Sequence, residues 1–284
     1  MSLSPDPRAR DGDITSDRRE TKYLVPLARA DDLVSALCAE LPLHRFTGER
    51  ANSLPGANHY ITTVYFDTPS GRHYREALTG GRSIKVRARE YYDVHPSLAE
   101  VATSSDEIVR YNPWLWFELK QREAGRSEKR RFRLPKLDVP AFFADKGSRP
   151  ARRFPDDGLG PDSVPPAEPD AIEAYLRSLD EPLAATCLVN YRRVSWQSAD
   201  ATLRVTLDLG LSCYAPPADL WTRAWPLERR LLGRPTSVLD GAVLEVKARS
   251  SVPPWLAAAI ERTGVASMEF SKFVAATRRL RENV

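Results

Sequence analysis

The residues of this chain whose types and spacing could do chemistry are cations set in alternation with apolar residues. In Ser83-Ile84-Lys85-Val86-Arg87-Ala88-Arg89-Glu90, one parity carries Ile84, Val86 and Ala88 and the other Lys85, Arg87 and Arg89. Successive side chains of a strand point to opposite faces, so the stretch predicts a strand with one apolar and one cationic face. A single strand of this kind reads most simply as a solvated sheet face. Here the pattern recurs with a small unit inside it: Glu20-x-Lys22, Glu118-x-Lys120 and Glu245-x-Lys247, each with both charges on one face. Cross-strand ion pairs on a wet surface would use that unit for about 0.2–1 kcal/mol per pair. The opposite, apolar face of the same strands still needs cover.

The charged parity holds Lys22, Lys85, Arg87, Arg89, Lys120, Lys129, Arg131, Arg204, Lys247 and Arg249 against Glu20, Glu118, Asp208 and Glu245. Enclosed cations in such excess need a counter-charge to offset desolvation and mutual repulsion, and a polyanion supplies it. Arg and Lys both suit phosphate oxygens. The few carboxylates, Glu245 foremost, could hold a divalent ion against those oxygens. His44, His59, His73 and His95 follow neither metal-ligand nor triad spacing, so the chemistry indicated is electrostatic rather than nucleophilic.

Several elements must position these residues. Strands are predicted at 19–26, 59–68, 83–90, 114–122, 128–134, 186–197, 201–211 and 242–249, with a hairpin turn at Gly125. The register of that hairpin, and with it the choice between Lys129 and Arg131, is left open by alternation alone. Helices are predicted at 31–41, 72–78, 170–179, 254–263 and 271–281. Four of them are available to cover apolar sheet faces. An antiparallel sheet with helices outside and charge within predicts an α+β fold whose sheet closes on itself as a β-barrel around a polar tunnel. Residues 1–17 read as a disordered tail, 18–284 as one domain, and 137–169, rich in Pro, as a surface insertion with a short apolar helix around 141–144.

Composition narrows the classes. Lys plus Arg is 42 against 38 Asp plus Glu, a net charge of +4 that is too mild for a nucleic-acid coat. Cys38, Cys187 and Cys213 lack metal-ligand spacing and read as reduced thiols of a cytoplasmic protein. No apolar run is long enough to span a bilayer, and no signal-like h-region opens the chain.

The motifs in series resemble a known family. Glu-Thr-Lys-Tyr at 20–23, Val-Tyr-Phe-Asp-Thr at 64–68, Ile-Lys-Val-Arg-Ala-Arg at 84–89, Phe-Glu-Leu-Lys at 117–120, Tyr-Arg-Arg at 191–193, Leu-Glu-Val-Lys at 244–247 and Phe-Ser-Lys-Phe at 270–273 are similar to the VTC domain. That domain is the polyphosphate polymerase module of vacuolar transporter chaperone complexes, within the triphosphate tunnel metalloenzyme (CYTH-like) superfamily. The resemblance implies an eight-stranded antiparallel tunnel that moves the γ-phosphate of ATP onto a growing polyphosphate chain. It implies Lys22, Arg87, Arg89, Lys120 and Glu245 as catalytic residues, and Lys129 or Arg131, Arg192, Arg204, Lys247, Ser271 and Lys272 as phosphate contacts. Mn²⁺ or Mg²⁺ would sit at Glu245, with Glu20 and Glu118 as further ligands. The implied partners are ATP and inorganic polyphosphate or pyrophosphate, without nucleic acid or a membrane segment of its own, a membrane-protein partner being left open. The first strand carries Arg18 where hydrolytic and cyclase relatives tend to carry a further Glu. Two alternatives stay open: a metal-dependent tripolyphosphatase or nucleoside triphosphatase, and a non-catalytic polyphosphate-binding module. A passage open at both ends would favour the polymerase over the hydrolase, since a growing chain needs an exit.

Overall fold

A computed structural model describes residues 19–44, 59–80, 82–93, 114–123, 126–144, 168–222, 227 and 232–282. The expected tail at 1–17 and residues 145–167 of the expected insertion lie outside these. The strands are β1 (Arg19–Val25), β2 (His59–Asp67), β3 (Arg82–Asp93), β4 (Trp114–Glu123), β5 (Arg126–Pro135), β6 (Ala184–Gln197), β7 (Leu203–Tyr214), β8 (Ser237–Val238) and β9 (Ala242–Ala248). The helices are α1 (Ala30–Glu40), α2 (Arg72–Thr79), α3 (Val139–Ala144), α4 (Glu168–Arg177), α5 (Pro254–Arg262) and α6 (Lys272–Glu282).

All strands join one nine-stranded antiparallel sheet in the order β1-β9-β7-β6-β2-β3-β4-β5, with β8 added to β7. The expected closed eight-stranded barrel is not what forms. Among the described residues β1 pairs only with β9 and β5 only with β4, so no ladder joins the two ends and the sheet stays open. It does curl. Six strand spacings separate β1 from β4 along the order, about 29 Å if flat, far beyond the screening length of about 8–10 Å. Yet Glu20 on β1 acts electrostatically on Lys120 of β4, and Lys22 acts on Lys85 of β3. The ends therefore face each other across a concave surface without hydrogen bonding.

Helices cover the convex side at two places. Ile84, Val86, Phe117, Leu119, Phe132 and Leu134 pack with Phe142 of α3 and Ile172 and Leu176 of α4. Val205, Leu207, Leu244 and Val246 pack with Leu33 and Leu37 of α1 and Leu256 and Ile260 of α5. Phe117 is fully buried among Phe66, Phe132, Phe142 and Phe143, with ring centroids 5.2–5.7 Å away. Burial of such side chains, at about 1.5–3 kcal/mol each, is the main force holding this sheet in its curl. Helix α3 matches the short helix expected near 141–144, and α4 begins at Glu168 instead of Asp170.

The concave side is divided. At one end Tyr65, Cys187, Val189, Leu211 and Val243 form an apolar floor under Phe273 and Ala276 of α6. At the other end the same face is charged. One bulge makes this continuity possible. Asn190 pairs with Ser212 but Arg192 with Leu209, so Tyr191 opposes two residues of β7. Gly210 absorbs the extra residue at φ 59, a left-handed conformation that glycine adopts without a Cβ penalty. Both Asp208 and Leu211 then face inward despite their odd separation.

Candidate functional site

Strand register gathers most of the sequence-selected residues on the concave face. On β3 and β4, Arg87 lies abreast of Glu118 and Lys85 of Lys120. On β4 and β5, Glu118 lies abreast of Arg131 and Lys120 of Lys129, so both candidates from the hairpin share the face. From the other end of the sheet come Glu20 and Lys22 of β1, Glu245 and Lys247 of β9, and Arg204 and Asp208 of β7, matched in register as Lys22 with Glu245, Glu20 with Lys247 and Arg204 with Lys247.

Four carboxylates organise the cations. Glu118, buried, accepts from Arg87 Nε at 2.5 Å and lies 3.7 Å from Arg89. Burial would raise its pKa, but Arg87, Arg89 and Lys129 hold it well below the usual carboxylate range. Asp208, also fully buried, takes both arms of Arg193 at 2.6 and 2.8 Å and the Lys272 ammonium at 2.7 Å. Against its burial, Arg193 and Lys272 keep it ionised, and it in turn raises the pKa of both despite their own burial. Glu245 lies 2.7 Å from Lys247, which approaches Glu20 at 3.9 Å, while Lys22 pairs with Glu20 at 2.8 Å. Burial opposes ionisation of Glu245, and Lys247, Arg193 and Lys22 overcome it, holding its pKa well below the ordinary value.

Helix α6 brings Lys272 to this face from its first turn. Ser271 Oγ accepts the Val274 amide at 3.4 Å and so caps the helix, which engages the hydroxyl within the chain. Lys272 Nζ stands 5.0 Å over the Tyr191 ring, and Lys22 Nζ donates to the Phe270 carbonyl at 3.1 Å, tying β1 to the approach of α6. The positive end of the helix adds to the cationic field here.

Three residues fall differently. Arg192 pairs with Tyr60 and Leu209 on the parity opposite to Tyr191 and Arg193, so the arginine that joins the site is Arg193. Tyr191-Arg192-Arg193 carries a cation on each parity, and alternation alone gives no way to choose; the buried Asp208 on the neighbouring strand decides. Arg204 shares the face but is engaged by Gln197 Oε1 at 2.6 Å and by His44 Nε2 at 3.4 Å. Arg249 lies past the end of β9 and is exposed.

The lysines are left in excess. Burial, then Lys120, Lys22 and Arg87, push Lys85 down to about 7. Burial lowers Lys120 and Lys129 to about 8, against the pull of Glu20 on the first and Glu118 on the second. Two unit charges about 5 Å apart at an effective dielectric of about 20 repel by about 3 kcal/mol, which is why such lysines release protons or gather an anion.

For a divalent ion the candidate ligands separate. Glu118 is consumed by two arginines and does not fit. Glu20 and Glu245 lie diagonally across β1 and β9 with Lys247 between them. Among the described residues no group of three or more His, Cys, Asp or Glu could hold a metal. Two carboxylates do fit the manner in which Mg²⁺ or Mn²⁺ binds when substrate phosphates complete the shell.

This arrangement can bind a chain of phosphates and stabilise charge on a transferring phosphoryl group. Among the described residues no helix is long and apolar enough to cross a membrane. No curated protein matches the chain. Among solved structures, a "putative adenylate cyclase" of Bacillus halodurans is similar at 11% identity and TM-score 0.45, covering 90% of this chain and 94% of its own. A protein of Pyrococcus horikoshii is similar at 9% identity and TM-score 0.42, covering 94% and 99%. The VTC domain profile matches residues 17–281, the stretch that holds every strand and nearly all of α6. The chain therefore belongs to the VTC domain family, a polyphosphate-related family of enzymes.

Proposed function

We propose that this protein is an ATP-dependent polyphosphate polymerase that transfers the γ-phosphate of ATP to the end of an inorganic polyphosphate chain. The observation that carries the reading is the concave face itself: Arg87, Arg89, Arg193, Lys272 and the lysines of β3, β4 and β5 converge on one surface with too few carboxylates to neutralise them. Family membership supports the same reading. Phosphoryl transfer asks for in-line positioning and neutralisation of charge on the equatorial oxygens, with little covalent work from side chains. Arg87 and Arg193 are braced by Glu118 and Asp208, so their donors are set before substrate arrives and cost little reorganisation in the transition state. Lys22 and Lys247 hold Glu20 and Glu245 ionised, ready to take Mn²⁺ or Mg²⁺. When bound, that ion would neutralise charge on the transferring phosphoryl group. The partners implied are ATP and polyphosphate or pyrophosphate.

One observation favours the hydrolytic alternative. Helix α6 covers one end of the concave face, Phe273 meeting Tyr65 at 5.2 Å, so a growing chain has no exit in that direction. The test is incubation of purified protein with ATP and Mn²⁺, resolving products by chain length, with Lys120→Ala and Glu245→Ala in parallel. The polymerase reading expects ADP with polyphosphate longer than triphosphate, lost in both variants. Free phosphate without chains would replace it with hydrolysis. Tight polyphosphate binding without turnover would leave a binding module.

A further inference from the structure

The helices that cover the convex side leave a cleft of their own, away from the charged face. Helices α1 and α5 pack on the sheet through Leu33 and Leu37 and through Leu256 and Ile260. Between them lies a cavity of about 420 Å³ lined by Arg29, Asp32, Ser35, Ala259, Arg262 and Thr263. That volume falls within the range of small-molecule sites. Helical spacing builds both walls: residues 29, 32 and 35 succeed one another by three at the start of α1, and 262 and 263 follow 259 by three and four at the end of α5. Thr263 Oγ1 is committed to the Ile260 carbonyl at 2.5 Å. Among the described residues no ion pair or side-chain hydrogen bond engages Arg29, Asp32, Ser35 or Arg262. Elsewhere on the helices an exposed arginine near a carboxylate closes with it, as Arg72 does with Glu76 and Arg279 with Glu282. Here Asp32 shares a cavity with two arginines and closes with neither. Arg29 also does nothing for α1: at the N-cap it makes no capping hydrogen bond, and it sets a cation at the positive end of the helix dipole.

We propose that this cleft binds a sugar monophosphate, with Arg29 and Arg262 taking the phosphate and Asp32 and Ser35 the hydroxyls. Two guanidinium groups suit one phosphate dianion. A carboxylate in the same cavity only accepts hydrogen bonds and repels an anion, so it calls for donors on the same ligand, which sugar hydroxyls supply. No aromatic ring lines the cavity to stack a base, which argues against a nucleotide. The site lies across the sheet from the concave face and stands whether or not that face transfers phosphate.

Isothermal titration of the full chain without metal tests this, with glucose 6-phosphate, glucose and orthophosphate as probes. Glucose 6-phosphate is expected to bind about tenfold or more tightly than either fragment. Arg29→Gln and Arg262→Gln should each raise its Kd by about tenfold. Asp32→Ala should shrink the preference for glucose 6-phosphate over orthophosphate by about fivefold, because it removes a hydroxyl acceptor and a charge that repels phosphate. All four side chains are exposed, so these substitutions leave the buried core intact, and Arg278→Gln, exposed on α6, should bind as the wild type does. Wild-type affinity for glucose 6-phosphate in both arginine variants would place any binding elsewhere and overturn the cleft. A wild type that binds orthophosphate as tightly, or binds no probe, would overturn it as well. The polyphosphate reading, tested by its products, is untouched by either result.

Discussion

At the scale of single residues, Asp208 and Arg193 carry the clearest consequences. Arg193→Ala removes a braced donor from the concave face, and a loss of about a hundredfold in kcat is expected, by analogy with removal of preorganised oxyanion donors. Arg192→Ala, on the other parity, should stay within about threefold by the same assay, since no rung of the charged face includes it. Equal losses in the two variants would show that the strand parity assigned to β6 is wrong. Asp208→Asn leaves Arg193 and Lys272 buried without their shared counter-charge, at a cost of about 3–5 kcal/mol. Denaturant unfolding measures that loss. Added tripolyphosphate should then raise the variant's midpoint by more than it raises the wild type's, because the ligand restores the missing negative charge.

Element by element, the convex layers and the concave face answer to different forces. Phe117 on β4 alternates with Glu118 and so links the aromatic cluster under α3 to the braced arginines opposite. Phe117→Ala should cost about 3–5 kcal/mol by transfer and cavity terms. Helix α3 packs on Phe117 through Phe142, at 5.2 Å between rings, so urea unfolding should register the loss as a lower midpoint. Gly210 is a sharper probe of geometry than of packing. Its positive φ lets β7 turn both Asp208 and Leu211 inward, and Gly210→Ala would strain that conformation by about 1–2 kcal/mol. A variant unchanged in stability would mean that the bulge tolerates an L-residue and is not what aims Asp208.

For the whole molecule, stability should depend on pH through the lysines. The folded pKa of Lys85 is depressed to about 7, whereas an unfolded lysine titrates near 10.4. Below pH 7 both states are protonated and the full repulsion opposes folding. Between about pH 7 and 10 the unfolded chain binds more protons than the native one, so stability rises with pH across that window. Lys129, near 8, adds to the same slope. Glu118 and Asp208 act at the acid end: their pKa values are lowered in the fold, so the stability they contribute is lost as pH falls through the carboxylate range. Thermal midpoints measured from pH 6 to 10 should climb, and saturating tripolyphosphate should flatten the climb by holding the lysines charged. A ligand at a hundred times its Kd would itself add about 2.7 kcal/mol.

What the linear chain determined by itself is local. Alternation sorted Ile84, Val86 and Ala88 from Lys85, Arg87 and Arg89, because a strand has a period of two and burial enforces it; the Glu-x-Lys units and the excess of cations pointed to phosphate for the same reason. Helical periodicity located α1, α5 and α6 within a few residues. The tertiary structure decided whatever depends on one strand meeting another. Hairpin register set Lys129 abreast of Lys120 and Arg131 abreast of Glu118, a pairing that a two-residue repeat, which only puts both on one face, cannot choose. The partner Asp208 chose Arg193 over Arg192, and two arginines took Glu118 away from any metal. Closure was beyond the sequence altogether: it depends on whether the edges of β1 and β5 hydrogen-bond, which is a matter of accumulated twist and of charge repulsion across the curl, summed over nine strands and written in no single motif.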